Sequence, residues 1–242
     1  MIIKLIQKLI DKIRKKKKYS VISNEEYINN FQESNKLIIA DDFDVTKLNI
    51  EIDGQNNIVK INNGIKIGLK LTIQGYIDNS EIIIGDNFKC NDVCFQLGQN
   101  SKNFGKIKNV KIEIGTNTSW ETGMLVSYNS NTNIKIGNNC MFAGNVTLYC
   151  TDAHPIFDKD SGRVLNKVND INIGNHVWLG MNSTVLKNST IPDGSIVGWG
   201  SVFSGRKTKS NCIYAGNPVK CIKENIEWSA NGNEYGYIEN LF

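Results

Sequence analysis

Histidine is scarce in this chain, because its 242 residues include only His154 and His176. The six cysteines show no CxxC spacing, which is the usual pattern of a zinc site or a redox pair. Both shortages argue against a metal site built from the residues of one chain. We therefore expect no metal, and we expect cysteines that are reduced and mostly buried, as in a cytosolic protein.

A net positive charge is also lacking outside one short segment. Residues 1–18, MIIKLIQKLIDKIRKKKK, hold eight basic residues and one acid, whereas the whole chain has a net charge of +4. The remaining chain is therefore slightly acidic, and no nucleic-acid partner is expected. The segment is too short and too charged to span a bilayer, and lysines interrupt the apolar core that a signal peptide needs.

The same segment has apolar residues at helical spacing and lysines on the other face, which predicts a basic amphipathic helix. Two interpretations stay open. The helix lies on an anionic membrane surface, or it packs on the protein's own body or on a partner.

A period of six residues runs through most of the chain. Steps of six give an aliphatic or aromatic residue each time, at Ile173, Leu179, Val185, Ile191, Val197 and Phe203. The pattern recurs upstream at Ile136, Phe142 and Leu148, and at Ile114, Trp120 and Val126. Each hexapeptide makes one side of a triangular coil, and stacked coils form a parallel β-helix. Gly and Asn after many apolar positions suit corners with positive φ.

The repeat sets the predicted organisation of an all-β protein. Residues 61–218 are predicted to form the β-helix, and residues 151–170, which break the period, a loop extruded from it. Residues 19–60 show no clear repeat and are interpreted as an irregular N-terminal cap. Residues 219–242 are predicted to contain a short C-terminal helix, at 219–228, followed by a tail.

Several runs of sequence, in a fixed order, resemble the hexapeptide-repeat acyltransferases: DAHPIFD, INIGNHVWLG, IVGWGSV and YAGNPVKCIK. With TSWETG and IGNNCMFAGNVTLYC, the chain is most similar to bacterial enzymes that O-acetylate capsular and other surface polysaccharides, including sialic-acid glycans. The resemblance covers roughly residues 110–228. It implies a left-handed β-helix, a homotrimer, and transfer of acetyl from acetyl-CoA as co-substrate.

The resemblance places the general base at the histidine of a His-Pro pair on the extruded loop, which is His154. Chemistry supports this independently, since a neutral imidazole near pH 7 suits removal of a hydroxyl proton. Glu121 is predicted to orient the imidazole or to bind a sugar hydroxyl, and Asp152 to hold the imidazole tautomer. No Ser or Cys lies in a nucleophile elbow, so direct transfer is expected. His176, inside a hexapeptide, is expected to be a surface residue of the coil.

The family binds CoA in a groove between two neighbouring prisms. The residues that we expect to bind the donor are Trp178, Gly198, Trp199, Ser204, Arg206, Lys220 and Lys223. This chain has Trp199 where relatives usually have a small residue, and Gly205 where many have Lys. Lys207 and Lys209 extend the basic cluster at Arg206 that is expected to meet the CoA phosphates. The resemblance also predicts that Trp178, Arg163 and Asn166 contact the acceptor. The Arg163 guanidinium would suit a carboxylate such as that of sialic acid, and the alternative for Arg163 and Asn166 is hydrogen bonding within the loop.

The predicted function is O-acetylation of a bacterial cell-surface saccharide, which is a capsule, a lipooligosaccharide or a sialic-acid glycan. The expected location is the cytoplasm, with peripheral contact of residues 1–18 to the inner membrane. One alternative is N- or O-acetylation of a small acceptor, such as a nucleotide amino sugar, a xenobiotic or serine. Another is a β-helical binding scaffold without activity. Trimeric β-helix carbonic anhydrases fit poorly, since they need three histidines on zinc.

Overall fold

A computed structural model describes residues 19–22, 28–29, 33–41, 43–99, 105–167 and 170–231. The predicted amphipathic helix of residues 1–18 lies outside this part of the chain, so its contact with a membrane stays a prediction. Within the described ranges, no helix has the length and apolar character needed to cross a membrane.

The chain winds into a triangular prism whose three faces are stacks of parallel strands. Face 1 contains Lys36–Ala40, Ile58–Ile61, Glu81–Ile84, Lys111–Ile114, Asn133–Ile136, Ile171–Ile173 and Ser189–Ile191. Three long strands bend from face 2 into face 3, and they are Lys66–Asp78, Lys89–Leu97 and Ser119–Ser127. Face 2 continues with Met141–Phe142, Trp178–Leu179, Ile196–Val197 and Ile213–Gly216. Face 3 also contains Ile28–Asn29, Leu48–Asp53, Val146–Tyr149, Thr184–Leu186 and Val202–Phe203.

A few short elements complete the prism. Tyr19–Ile22 pairs antiparallel with the first strand of face 1, and Val219–Lys223 pairs antiparallel with the last strand of face 2. Ile107–Lys108 pairs with the end of one long strand, and Val45–Lys47 forms a turn of 3-10 helix.

The six-residue period is explained by the core of the prism. Ile173 pairs with Ile191, and Leu179 pairs with Val197, so that each apolar side chain stacks on one from the next coil. The six residues of the main repeat are at most 3% exposed. The serines two positions earlier in the later coils, such as Ser195, are also buried. The predicted parallel β-helix with an extruded loop is therefore confirmed.

The corners are built from residues in the left-handed region of φ. At the corner between faces 1 and 2, successive coils place Gly64, Asn87, Asn117, Asn139, His176, Gly194 and Asn211, with φ between 53° and 69°. Asn tolerates this conformation better than most side chains do. Its amide also bonds from coil to coil, as Asn87 Nδ2 does to Asn117 Oδ1 at 2.9 Å.

The structure corrects two predicted boundaries. Residues 36–60 belong to the coils of the prism rather than to a cap, since Lys36–Ala40 pairs in parallel with Ile58–Ile61. The repeat is hidden there because the 3-10 turn Val45–Lys47 replaces a hexapeptide. The helix predicted at 219–228 is wrong, because Val219–Lys223 is a strand that satisfies the edge of the last coil.

One core position is also offset from the prediction. Leu125, rather than Val126, pairs with Leu148 in the stack. The reason is that the segment from Trp120 to Gly123 is one residue shorter than the segment from Phe142 to Val146 with which it pairs. Gly123 makes this possible, since it has φ of 148° and a Cβ there would lie 1.9 Å from the Val146 carbonyl oxygen. Val126 is nevertheless buried.

Candidate active site

Residues 151–167 leave the prism between faces 3 and 1 as a hairpin. Phe157 and Val164 form an antiparallel bridge, and the Asp158 N–H donates to the Arg163 carbonyl at 2.8 Å. Loops on a rigid scaffold commonly hold the reacting groups of an enzyme. The candidate base His154 lies near the base of this hairpin and is exposed.

The backbone around His154 is fixed by a network of side chains. Asn166 Nδ2 donates to the His154 carbonyl and to Asp152 Oδ2, both at 2.8 Å. Asn166 Oδ1 accepts from the Ile156 N–H at 2.7 Å. Lys187 Nζ, from the next coil, lies 2.8 Å from Asp152 Oδ2. Asn166 therefore holds both sides of the His154–Pro155 segment, and its predicted contact with the acceptor stays a prediction.

The charge of Asp152 is stabilised by this network. Partial burial acts to raise the pKa of the Asp152 carboxyl, but hydrogen bonds from Lys187 and Asn166, with the charge of Lys187, outweigh it. The pKa is therefore lower than the ordinary value of 3.8. Asp152 thus anchors the loop as a carboxylate at neutral pH.

The Asp152 anchor predicts a pH-dependent stability. A carboxyl whose pKa is lowered by folding stabilises the protein above its unfolded pKa, and this stabilisation is lost as the pH falls through the folded pKa. We expect wild type to have a higher thermal midpoint than Asp152→Asn from pH 8 down to about pH 5, and the gap to close below about pH 4. Asp160→Asn, on the exposed tip of the same hairpin, is the control and should show no gap. A gap for Asp152→Asn that stays constant to pH 3 would contradict the ion-pair explanation.

A cavity of about 320 Å³ opens beside His154. Its walls combine the hairpin residues Asp152 and Val164 with Asn129 and Lys187 from neighbouring coils. The volume lies within the usual range for small-molecule sites, at its lower end. Sequence reasoning missed Asn129 and Lys187, because neither belongs to a motif and only the stacking of coils brings them to the hairpin.

The buried cysteines are unsuited to nucleophilic catalysis. Burial raises the pKa of the Cys150 thiol, four residues before His154, to about 12. Burial likewise raises the pKa of Cys90 to about 12 and that of Cys140 to about 11. Since the thiolate is the reactive form, these thiols are inert at neutral pH.

Trp178 and His154 lie at different edges of the prism. Trp178 is the first residue of a face 2 strand, whereas His154 leaves the corner between faces 3 and 1, so the width of face 1 separates them. Glu121 is exposed and lies near the corner between faces 2 and 3, whereas His154 leaves the corner between faces 3 and 1. Its predicted role as an orienting group stays a prediction.

The expected donor-binding residues follow the last coils. The Gly198 N–H donates to the Tyr214 carbonyl at 2.8 Å, so it serves the coil itself. Trp199 projects from a corner with 68% of its surface exposed. Ser204 is half-buried, and Arg206 pairs with Thr190 along face 1.

The predicted basic cluster is divided between two faces. Lys220 and Lys223 lie exposed on the closing strand beside face 2, whereas Arg206 extends face 1. Lys209 forms an ion pair with Glu224. The structure therefore does not gather these cations into one phosphate site within a chain.

An aromatic cluster surrounds Trp178. The Trp228 ring stacks on His176 at 4.1 Å between centroids, and it lies 5.9 Å from the Trp178 ring. Sequence reasoning missed Trp228, which fell in the wrongly predicted helix. His176 is a corner residue of the coil, as expected, but it is half-covered by the C-terminal segment.

Comparison with known proteins identifies similar sequences. The chain is 32% identical over 189 residues to the polysialic acid O-acetyltransferase of Neisseria meningitidis, a match that covers 72% of this chain and 86% of that enzyme. It is 35% identical over 137 residues to the polysialic acid O-acetyltransferase of Escherichia coli O1:K1, covering 55% of this chain and 44% of that enzyme. The chain thus spans less than half of the E. coli relative. No protein-family model matches the chain.

Solved structures show the same fold. The polysialic acid O-acetyltransferase OatWY aligns with a TM-score of 0.62 at 23% identity, covering 89% of this chain and 95% of that one. The polySia-specific acetyltransferase NeuO aligns with a TM-score of 0.56 at 25% identity, covering 81% and 100%. The fold is thus a parallel β-helix, as predicted from the repeat, and it is left-handed, as the resemblance implied. The chain belongs to the hexapeptide-repeat O-acetyltransferases, in the group that includes the polysialic acid O-acetyltransferases.

Proposed function

We propose that this enzyme moves acetyl from acetyl-CoA to a hydroxyl of a bacterial surface glycan that contains sialic acid. The observation that carries the proposal is His154 on a braced hairpin beside a cavity, in a chain that is 32% identical to a polysialic acid O-acetyltransferase. A network of this kind fixes the backbone of the segment that carries the base, and proton removal from an acceptor requires a base held in position.

The reaction is direct transfer. The His154 imidazole takes the proton of the acceptor hydroxyl, and the oxygen attacks the carbonyl carbon of the thioester. The tetrahedral intermediate collapses by breaking the C–S bond, and the imidazolium returns the proton to the departing sulfur, which leaves as the thiol of CoA. The oxyanion needs donors other than the Gly198 N–H, because that group already bonds to the Tyr214 carbonyl.

The hairpin that carries His154 also carries a cation suited to the acceptor's carboxylate. Arg163 is exposed on the hairpin, and its Nε donates to Ser161 Oγ at 3.1 Å. A guanidinium has five N–H donors, so the two remaining nitrogens can bind both oxygens of a carboxylate. Lys187 is less suited to this role, because its ammonium is already bound to Asp152 and to the Lys167 carbonyl.

We propose that the active enzyme is a homotrimer with each site between two chains. His154 and Trp178 lie on either side of face 1 in one chain, so they share a site only if each chain supplies one of them. The hairpin also exposes four apolar side chains, each 49–57% exposed: Ile156, Phe157, Val164 and Leu165. Such a patch on an extended arm favours contact with a second copy. Trp178, Trp199, Lys220 and Lys223 would then hold acetyl-CoA along the groove.

The assay that tests the function compares two acceptors. Purified enzyme with acetyl-CoA should release thiol at least about tenfold faster with polysialic acid than with a galactoside, since only the former offers Arg163 a carboxylate. The galactoside is the control because a galactoside O-acetyltransferase of Escherichia coli K12 is 30% identical over 138 residues. Light scattering on the same preparation should give the mass of three chains. Thiol release with the galactoside alone would contradict the proposed acceptor.

A further inference from the structure

The last described segment of the chain returns along the corner between faces 1 and 2. The Ile226 N–H donates to the Asn211 carbonyl at 3.0 Å, and Asn211 Nδ2 donates to the Ile226 carbonyl at 3.2 Å. Two residues later, Trp228 has reached His176, which lies two coils earlier at the same corner. The segment therefore covers the edge of face 2 on which Trp178 lies.

Trp228 is anchored by a closely matched set of contacts. Its ring is 7% exposed and stacks on the His176 imidazole with an angle of 6° between the planes. The Trp228 Nε1–H donates to the His176 carbonyl at 2.9 Å. His176 Nε2 in turn lies 3.0 Å from both Glu227 Oε1 and the Trp228 carbonyl. The C-terminal segment therefore contacts both the backbone and the side chain of His176.

The identity of residue 176 points to the same contact. On earlier coils the equivalent corner positions are Asn117 and Asn139, whose amides bond to each other, and this ladder stops at His176. Asn satisfies the left-handed φ at this corner equally well. At position 176 the chain has a histidine instead of an asparagine, and its imidazole ring stacks on Trp228.

The result of these contacts is a fixed indole beside Trp178. The Trp178 and Trp228 rings are 5.9 Å apart and inclined at 44°, within the range for favourable aromatic pairs. Trp178 points outward from a flat strand and is half-buried. Without Trp228 its side chain would have several staggered rotamers available.

We propose that Trp228 and His176 are positioning residues, which hold the Trp178 indole in the orientation that acetyl transfer requires. The inference rests on the proposed function, through the expectation that Trp178 lines the donor and acceptor site. Misplacement of a positioned group by about 1 Å lowers rates by as much as about a hundredfold. The C-terminal segment thus acts on catalysis through Trp178, without touching the reacting atoms itself.

Four variants test the inference: Trp228→Ala, Trp228→Phe, His176→Asn and the control Glu224→Gln. Glu224 belongs to the same segment but pairs with Lys209, away from Trp178. Two neighbouring indoles give an exciton couplet in circular dichroism, which reports their geometry without any substrate. We expect Trp228→Ala to lose the couplet and to lower kcat/KM about tenfold or more, after correction for the folded fraction. His176→Asn should reduce both the couplet amplitude and kcat/KM.

The conservative variant separates positioning from folding. Trp228→Phe removes the second indole, so the couplet disappears, but its ring still packs on Trp178 and most of the kcat/KM should return. Glu224→Gln should keep both couplet and kinetics. Wild type without a couplet, or Trp228→Ala with unchanged kcat and KM, would overturn the inference. Failure of the proposed function is distinguishable, because wild type itself would then acetylate no sialylated glycan.

Discussion

Replacement of His154 by alanine should lower kcat for acetyl transfer by a factor of about 10²–10⁴, the usual contribution of general acid–base catalysis. The cause is loss of the group that takes the hydroxyl proton, because the buried Cys150 thiol has a raised pKa and does not substitute for it. Asp152 is a poor substitute as well, since its lowered pKa makes it a weak base. Thiol release from acetyl-CoA with a saturating glycan acceptor measures the effect.

The control is binding of the donor, which should survive the substitution. A ligand at about a hundred times its Kd stabilises a protein by about 2.7 kcal/mol, so acetyl-CoA should raise the thermal midpoint of both wild type and His154→Ala. Lys159→Ala, on the exposed tip of the same hairpin, should keep full activity. If His154→Ala retained more than a tenth of wild-type kcat, the base would have to be another residue.

The fold was largely predictable because hexapeptide periodicity is a local signal with a direct geometric meaning. Wherever three hexapeptides follow each other without insertion, as from Ile173 to Phe203, the core residues were identified correctly. The prediction failed where a coil contains an irregular side, at Val45–Lys47. It also failed at Val219–Lys223, whose strand forms because the last coil offers an unpaired edge, which no local pattern records.

The sequence singled out only the motif-bearing part of the candidate site. His154 was chosen because it lies on the one long break in the period, and Asp152 because it is close in sequence, and both roles stay predictions. Lys187, which binds Asp152, sits in an ordinary repeat. Trp228 contacts a residue 52 positions earlier in the chain. The contacts of Lys187 and Trp228 depend on which coil stacks on which. Insertions of unequal length between the strands prevent this register of the coils from being predicted from one sequence.

Replacement of Trp120 by alanine should lower the free energy of unfolding by about 3–5 kcal/mol, the usual cost for a fully buried large aromatic residue. Trp120 is wholly buried, and it packs between Phe95 at 6.2 Å and Phe142 at 5.3 Å between ring centroids. Its Nε1–H also donates to the Thr122 carbonyl at 3.1 Å. The substitution therefore removes a side chain that joins two neighbouring coils and leaves a cavity on the axis of the prism. Urea unfolding followed by circular dichroism measures the loss.

Trp199→Ala is the matched control, since it makes the same chemical change at a side chain that is 68% exposed. Substitutions at exposed positions usually alter stability by less than about 0.5 kcal/mol, so the two tryptophans should differ by several kcal/mol. Equal effects would mean that Trp120 is not the central packing residue of its coil. A large loss confined to Trp120→Ala would instead show that stacking between coils stabilises the prism. The prism holds the hairpin that carries His154 only while this aromatic stack is intact. On heating, activity should therefore be lost at the same temperature at which the core around Trp120 unfolds.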